Sequence, residues 1–259
     1  MTDLEEIETI INESGNSFHC RVANYLKEKA WDILVSPYYM DNASNKPREI
    51  DLIAEKSWKV IERGLKLKQG TINIKLFIEC KYIPQKNVFW FANKDIVSAR
   101  NWVTSNTHLT ENSANINQHH YLTPDQKVAK LFASKNNPNN ENEVIYKALN
   151  QSLNAMVYLR NRKSIIPPGP NRDNNILATI ELPVILCNSF DNFYRIDMED
   201  SSSPQKITDN FQLEVNYAYL DSQGNHKSEY FLLDVVDFSK LDKFLAVLEA
   251  DKDAVTQII

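Results

Sequence analysis

The chain reads as one mixed α/β domain, a sheet covered by helices, and three observations predict it. Residues 48–54 and 76–83 carry apolar side chains on both sides of the pleat, as strands buried inside a covered sheet do. Helical periodicities precede and follow these strands. Two alternating runs, residues 210–220 and 228–236, flank the turn sequence Ser222-Gln223-Gly224-Asn225 and read as a hairpin.

In order, residues 4–13 place Leu4, Ile7, Ile10 and Ile11 at helical spacing, and Ser14-Gly15 breaks that helix. Asn16 or Ser17 is suited to cap a second helix over 17–30, with Phe18, Val22, Tyr25 and Leu26 on its apolar face. Residues 31–39 are β-rich, and the stretch 41–47, from Asp41 to Pro47, is turn chemistry. Residues 49–61 and 71–83 read as two long strands joined by a basic tip around Gly64 to Gly70. The expectation is that 31–39, 49–61 and 71–83 are consecutive strands of one sheet.

Residues 84–141 read as an insertion decorating one end of the core. It contains Phe89-Trp90-Phe91, a core plug or a dimer contact in preference to a base-stacking platform. A helix is expected near 124–134, where Val128, Leu131 and Phe132 share a face. A firmer helix over 143–161 turns Ile145, Leu149, Leu153, Met156 and Leu159 inward, and Pro167-Pro168-Gly169-Pro170 is a loop. Residues 176–187 are a buried strand whose internal Pro183 predicts an edge position or a bulge. A closing helix spans 239–257.

Composition narrows the function. Hydrophobic residues make up 42% of the 259, enough for a core, and no apolar run is long enough to span a bilayer. The acidic start, Met1 to Glu6, is unlike a secretion signal, and Cys20, Cys80 and Cys187 are few and scattered. Both features lead us to expect a cytoplasmic protein with free thiols, no membrane partner and no disulfide or zinc framework. Five glycines and no Rossmann or Walker pattern argue against a phosphate-cradling loop. The net charge of −5 hides an asymmetry. Residues 46–100 hold 12 Lys/Arg against 6 Asp/Glu and residues 126–172 hold 8 against 2, whereas residues 173–259 hold 6 against 16. Local basic surface suits contact with a nucleic-acid backbone, and lysine-rich loops serve solubility equally well.

The chemistry centres on three charges in the two apolar strands: Asp51, Glu79 and Lys81. A charge in a buried strand is costly unless paired or bound to a metal. Glu79 and Lys81, two residues apart, project from one face. Asp51 and Glu79 are suited to hold Mg²⁺ or Mn²⁺, with the backbone carbonyl of Cys80 nearby, and Lys81 to orient water or stabilise phosphate charge. Beside a metal and partly desolvated, the Lys81 pKa is expected to fall. The plainer reading is a Glu–Lys ion pair on a solvated strand. Lys147, Gln151, Asn154 and Tyr158 form a polar stripe on the later helix, either functional or solvated. His119-His120 is set aside as a metal pair, because adjacent side chains diverge in regular structure and no acidic ligand lies at suitable spacing.

These segments resemble the PD-(D/E)XK nuclease superfamily, with its restriction-endonuclease-like core, nearest to the type IV restriction and Holliday-junction-resolvase branch. The residues carrying the resemblance are Ser14-Gly15 with Phe18, Arg48-Glu49-Ile50-Asp51, Phe77-Ile78-Glu79-Cys80-Lys81-Tyr82, Lys147 with Gln151, and the strand 182–188. It covers about residues 14–83 and 143–190; residues 84–141 and 191–259 lie outside as an insertion and a carboxy-terminal extension. It implies a single nuclease-like domain with Asp51 and Glu79 as metal ligands, Lys81 as the catalytic lysine, and Gln151 near the site. Arg48, Lys147 and Gln151 are the candidates for nucleic-acid contact. The implied activity is Mg²⁺- or Mn²⁺-dependent hydrolysis of DNA in restriction or repair, with RNA and a homodimer left open. The alternative is a catalytically inactive nucleic-acid-binding or scaffold protein of the same fold. One departure stands out: many relatives carry a glutamate after the aromatic of the first core helix, and here that position is His19. A partly exposed helix histidine is the ordinary outcome there.

Overall fold

The computed structural model describes residues 3–13, 15–62, 68–107, 116–123, 127–134, 144–160, 176–199, 203–221 and 223–256. Helices α1 (Asp3–Glu13) and α2 (Asn16–Glu28) open the chain. Five strands follow: β1 (Asp32–Val35), β2 (Tyr38–Asp41), β3 (Lys46–Glu49), β4 (Leu52–Glu62) and β5 (Lys68–Lys81). Next come β6 (Asn87–Asn93), α3 (Ile96–Asn106), β7 (Lys127–Ser134), α4 (Val144–Leu159) and β8 (Ile176–Cys187). The chain closes with β9 (Phe193–Asp197), β10 (Gln205–Lys206), β11 (Phe211–Leu220), β12 (His226–Asp237) and α5 (Leu241–Thr256). The expected loop at 167–170 and the basic residues Arg63 and Lys66 lie outside the described residues.

Ten strands form one mixed sheet in the order β1-β4-β5-β8-β12-β11-β7-β6-β9-β10. Strands β5, β8 and β12 run parallel at its centre, and antiparallel hairpins β4–β5 and β11–β12 flank them. Side-chain alternation divides the helices between two faces. Helix α4 covers the face of Lys75, Phe77 and Glu79, where its Ser152 hydroxyl donates to the Phe77 carbonyl at 2.8 Å. Helices α2 and α5 lie over the face of Cys80 and Asp234, which they reach through His19 and Asp251. The inward residues expected of α2 (Phe18, Val22, Leu26) and of α4 (Ile145, Leu149, Leu153, Met156, Leu159) are all buried. Helix α1 forms as its spacing predicts, yet Leu4, Ile7, Ile10 and Ile11 remain exposed.

Several expectations are corrected. The strand over 31–39 breaks at Ser36, whose φ of 52° lies in the left-handed region, and at Pro37; only β1 joins β4 in the large sheet. Strands β2 and β3 pair with each other instead, as a separate hairpin against α4. Gly15, not Asn16 or Ser17, occupies the N-cap position of α2, with no side-chain cap bond. The segment 84–141 supplies β6 and β7 to the same ten-stranded sheet. Phe89 and Phe91 of β6 are buried, so this aromatic run is core.

The helix expected near 124–134 is strand β7 over Lys127–Ser134. A register shift between Trp90 and Phe91 leaves Lys130 as an extra residue, which disturbs the two-residue alternation and mimics helical spacing. Strand β8 lies between β5 and β12 in the sheet order, but its pairing with β12 covers only Val184–Cys187, so Pro183 sits where that side of β8 is locally an edge, as expected. On the β5 side the Ser152 hydroxyl bridges the strands, accepting from the Val184 N–H at 3.2 Å while donating to the Phe77 carbonyl.

Candidate metal centre

Asp51 sits where the chain pinches. After β1 the backbone leaves the sheet, runs through the β2–β3 hairpin and returns at Ile50. The base of this excursion is closed by Ser36 N–H to the Asp51 carbonyl at 2.9 Å and Ile50 N–H to the Pro37 carbonyl at 3.2 Å. The hairpin end is held by Asp41, which accepts from Ala43 N–H at 3.0 Å and the Ser44 hydroxyl at 2.7 Å. This is the turn chemistry expected of 41–47.

The pinch aims the Asp51 side chain over the carboxyl end of β5. Its Oδ2 accepts from the Cys80 N–H at 2.8 Å, and its own N–H donates to Glu79 Oε1 at 3.3 Å. Lys81 Nζ lies 2.7 Å from Glu79 Oε2 and 3.5 Å from Asp51 Oδ2. From the helix side, His19 Nε2 comes within 3.3 Å of Asp51 Oδ2. A histidine ring nitrogen, an Asp51 carboxylate oxygen and Cys80 Sγ all lie within 4.8 Å of one another. The Glu79 side chain is fully buried, while those of Asp51, Lys81 and His19 keep 14–19% exposure, so the cluster opens to solvent on one side.

Electrostatics follow from this burial. Burial raises the Glu79 pKa to about 8; the neighbouring Asp51 carboxylate adds to the rise, and Lys81 opposes it. Burial alone would lower the Lys81 pKa, but the Glu79 and Asp51 carboxylates outweigh it and hold the ammonium above its ordinary value. This holds for the residues alone; the fall expected for Lys81 concerns a site with a cation bound beside it. Burial pushes the Cys80 thiol well up, so it stays neutral and is a poor ligand. His19, Asp51 and Cys80 offer ligand atoms within mutual reach, whereas Glu79 lies outside that trio and is turned to Lys81. The carboxylates of Asp51 and Glu79 are the donors whose chemistry would suit Mg²⁺ or Mn²⁺.

The other expected contact residues lie further out. Arg48 on β3 is exposed and turns to Asp41 Oδ2 at 3.6 Å. Lys147 is exposed on α4, and Gln151 is half-buried with its backbone carbonyl accepting from the Tyr39 hydroxyl at 3.5 Å. The polar stripe is not a solvated face: Asn154 accepts from the Tyr217 hydroxyl at 2.7 Å, and Tyr158 is buried against Tyr39. Sequence reasoning missed Tyr39, a buried tyrosine that senses the Glu79 charge. Its only signal was alternation within 38–41.

A second cluster overturns the premise on which His119-His120 was set aside. The pair straddles a 3-10 turn, His120–Leu122, so the rings stack at 5.0 Å, and Asp251 of α5 supplies the missing acid. Its hydrogen bonds nonetheless describe protons, not a metal. His119 Nδ1 accepts from Tyr121 N–H at 3.2 Å, which leaves the ring proton on Nε2. His120 is clasped between Asp251, on Nδ1, and Asp234, at 3.2 Å from Nε2.

No family model matches the chain, and no curated protein or solved structure matches it either. The site therefore rests on its own geometry.

Proposed function

We propose that the chain is a metal-dependent nuclease that hydrolyses phosphodiester bonds of DNA. The observation carrying this reading is the convergence of Asp51, Glu79 and Lys81 on one half-open spot, with Lys81 Nζ at 3.5 and 2.7 Å from the two carboxylates. A mixed sheet flanked by helices suits such a core and does not by itself fix the activity. Asp51 and Glu79 would hold Mg²⁺ or Mn²⁺, and His19, 3.3 Å from Asp51, would be within reach as a further donor. The bound cation supplies charge neutralisation at the phosphate and a more acidic water.

The chain's own residues do the rest. Cys80 N–H and the pinch at Ser36 fix the Asp51 carboxylate so that it need not reorganise. Lys81, kept protonated by its neighbours, would donate to a phosphate oxygen or to the attacking water beside the two carboxylates. Arg48 and Lys147 are exposed and free of the cluster, as contacts to flanking phosphates require.

One observation favours the alternative of a binding protein without cleavage: Lys81 already bridges both carboxylates, a network satisfied without any cation. Incubation of the purified chain with single-stranded, duplex and branched DNA and with RNA, in Mn²⁺ or Mg²⁺, separates the two. Metal-dependent cleavage lost in Lys81→Ala supports the nuclease. Binding without cleavage of any of these substrates supports the alternative.

A further inference from the structure

A cleft of about 420 Å³ lies between β11, β12, the His120 turn and α5, on the sheet face opposite Glu79. Its floor is built from Gln212 and Asp234, which are cross-strand partners and so project side by side. Phe244 and Val247 supply apolar lining, while the Phe211 ring turns to the other sheet face, against Phe89, Phe190 and Phe193.

Nearly all polar groups around it are already spent. Asn210 donates to the Lys240 carbonyl at 3.3 Å and accepts from Asp237 N–H at 3.0 Å. Asp209 is paired with Lys243, and the Thr123 hydroxyl donates to the His120 carbonyl at 3.1 Å. His120 gives both ring N–H groups to Asp251 and Asp234, and the Tyr121 hydroxyl donates to Asp234 Oδ2 at 2.7 Å.

Two acceptors remain. Gln212 is 3% exposed, and its Oε1 has no partner among the described residues. Its orientation is set by its amide nitrogen, 3.5 Å from the His120 carbonyl. Asp234 is 5% exposed; among the described residues no donor is bonded to its Oδ1, which, unlike Gln212 Oε1, keeps contact with solvent in the cleft. A buried acceptor left unpaired costs free energy, so Gln212 Oε1 asks for a donor, and Asp234 Oδ1 offers a second acceptor beside it. One water could serve one acceptor, but the apolar walls and the volume ask for a larger, flat group. Charge argues against a cation: Asp234 and Asp251 are balanced by His120, held protonated between them, and by Lys94, whose field reaches Asp234.

We infer that this cleft binds a guanine base, its N1–H and N2–H donating to Gln212 Oε1 and Asp234 Oδ1 and its ring lying against the apolar lining. The base comes either from a free guanine nucleotide or from guanine in a nucleic-acid strand. The inference stands independently of the nuclease reading.

Calorimetric titration of the full chain with guanosine, inosine, 1-methylguanosine and adenosine tests it. Inosine lacks the second donor and 1-methylguanosine the first, so each should bind at least about tenfold more weakly than guanosine, with adenosine weaker still. Gln212→Met, which keeps side-chain length and leaves Asp234 in its network, should shrink the guanosine–1-methylguanosine gap and leave the guanosine–inosine gap. GMP binding more tightly than a guanine-containing single strand assigns the free nucleotide as the source, and the reverse order assigns the strand. Equal binding of guanosine and adenosine, or no binding of guanosine at millimolar concentration, overturns the inference even if Gln212→Met fails to fold.

Discussion

His19 Nε2 lies 3.3 Å from Asp51 Oδ2, so the first core helix delivers a nitrogen to the Asp51 carboxylate. In the proposed metal centre this imidazole biases selection toward Mn²⁺ over Mg²⁺, because Mg²⁺ prefers all-oxygen shells. His19→Ala should weaken Mn²⁺ binding on the order of tenfold while changing Mg²⁺ binding less. Calorimetry with each ion reads this directly, and a parallel drop for both ions would remove His19 from the ligand set.

Asp51→Asn and Glu79→Gln should each abolish cleavage and weaken metal binding while the fold survives. The Glu79 change carries a sign that can be checked. Its pKa is raised from 4.5 to about 8 in the folded chain by burial, so between those values unfolding releases a proton. Stability of the metal-free protein should therefore fall as pH rises through that window, and Glu79→Gln should be the more stable form above it. Urea denaturation in chelator, at pH 5 and pH 9, measures the crossover.

Ser152→Ala should destabilise the chain by about 1–3 kcal/mol, the usual penalty for buried backbone groups left unpaired. The Val184 N–H and the Phe77 carbonyl both lose their partner. Urea denaturation of the parent and the variant measures the loss, and a loss below about 0.5 kcal/mol would mean that the hydroxyl acts by packing alone.

His120 predicts a different pH dependence. Burial opposes its charge, yet Asp251 and Asp234 raise its pKa from 6.5 to about 10. Its contribution is fully present below pH 6.5 and is lost as pH rises toward 10. Lys94, lowered to about 8 by burial, pulls the other way. The stability difference between the parent and His120→Gln isolates the histidine and should narrow steadily from pH 6 to pH 10.

What the sequence made legible follows from range. Asp51, Glu79 and Lys81 lie on strands paired through a hairpin, and the apolar residues around them already implied burial. Helix α4 and the β11–β12 hairpin were legible from strong local periodicity. Strand β7 was not, because one extra residue at Lys130 broke the alternation. Pro183 did signal a one-sided place in β8, since pairing with β12 begins only at Val184; the centrality of the rest of the strand carries no such local mark. The Asp251 partner of His120 lies 131 residues away, a pairing that no local spacing encodes.

The central claim is that Asp51 and Glu79 hold a cation on which Lys81 then acts. Mn²⁺ titration by calorimetry, run beside plasmid cleavage on the parent and Lys81→Ala, tests it most directly. The account predicts that Lys81→Ala keeps Mn²⁺ binding, or tightens it as the competing ammonium leaves, and loses cleavage. A Lys81→Ala protein that cuts as fast as the parent, or a parent that binds no Mn²⁺, would contradict it.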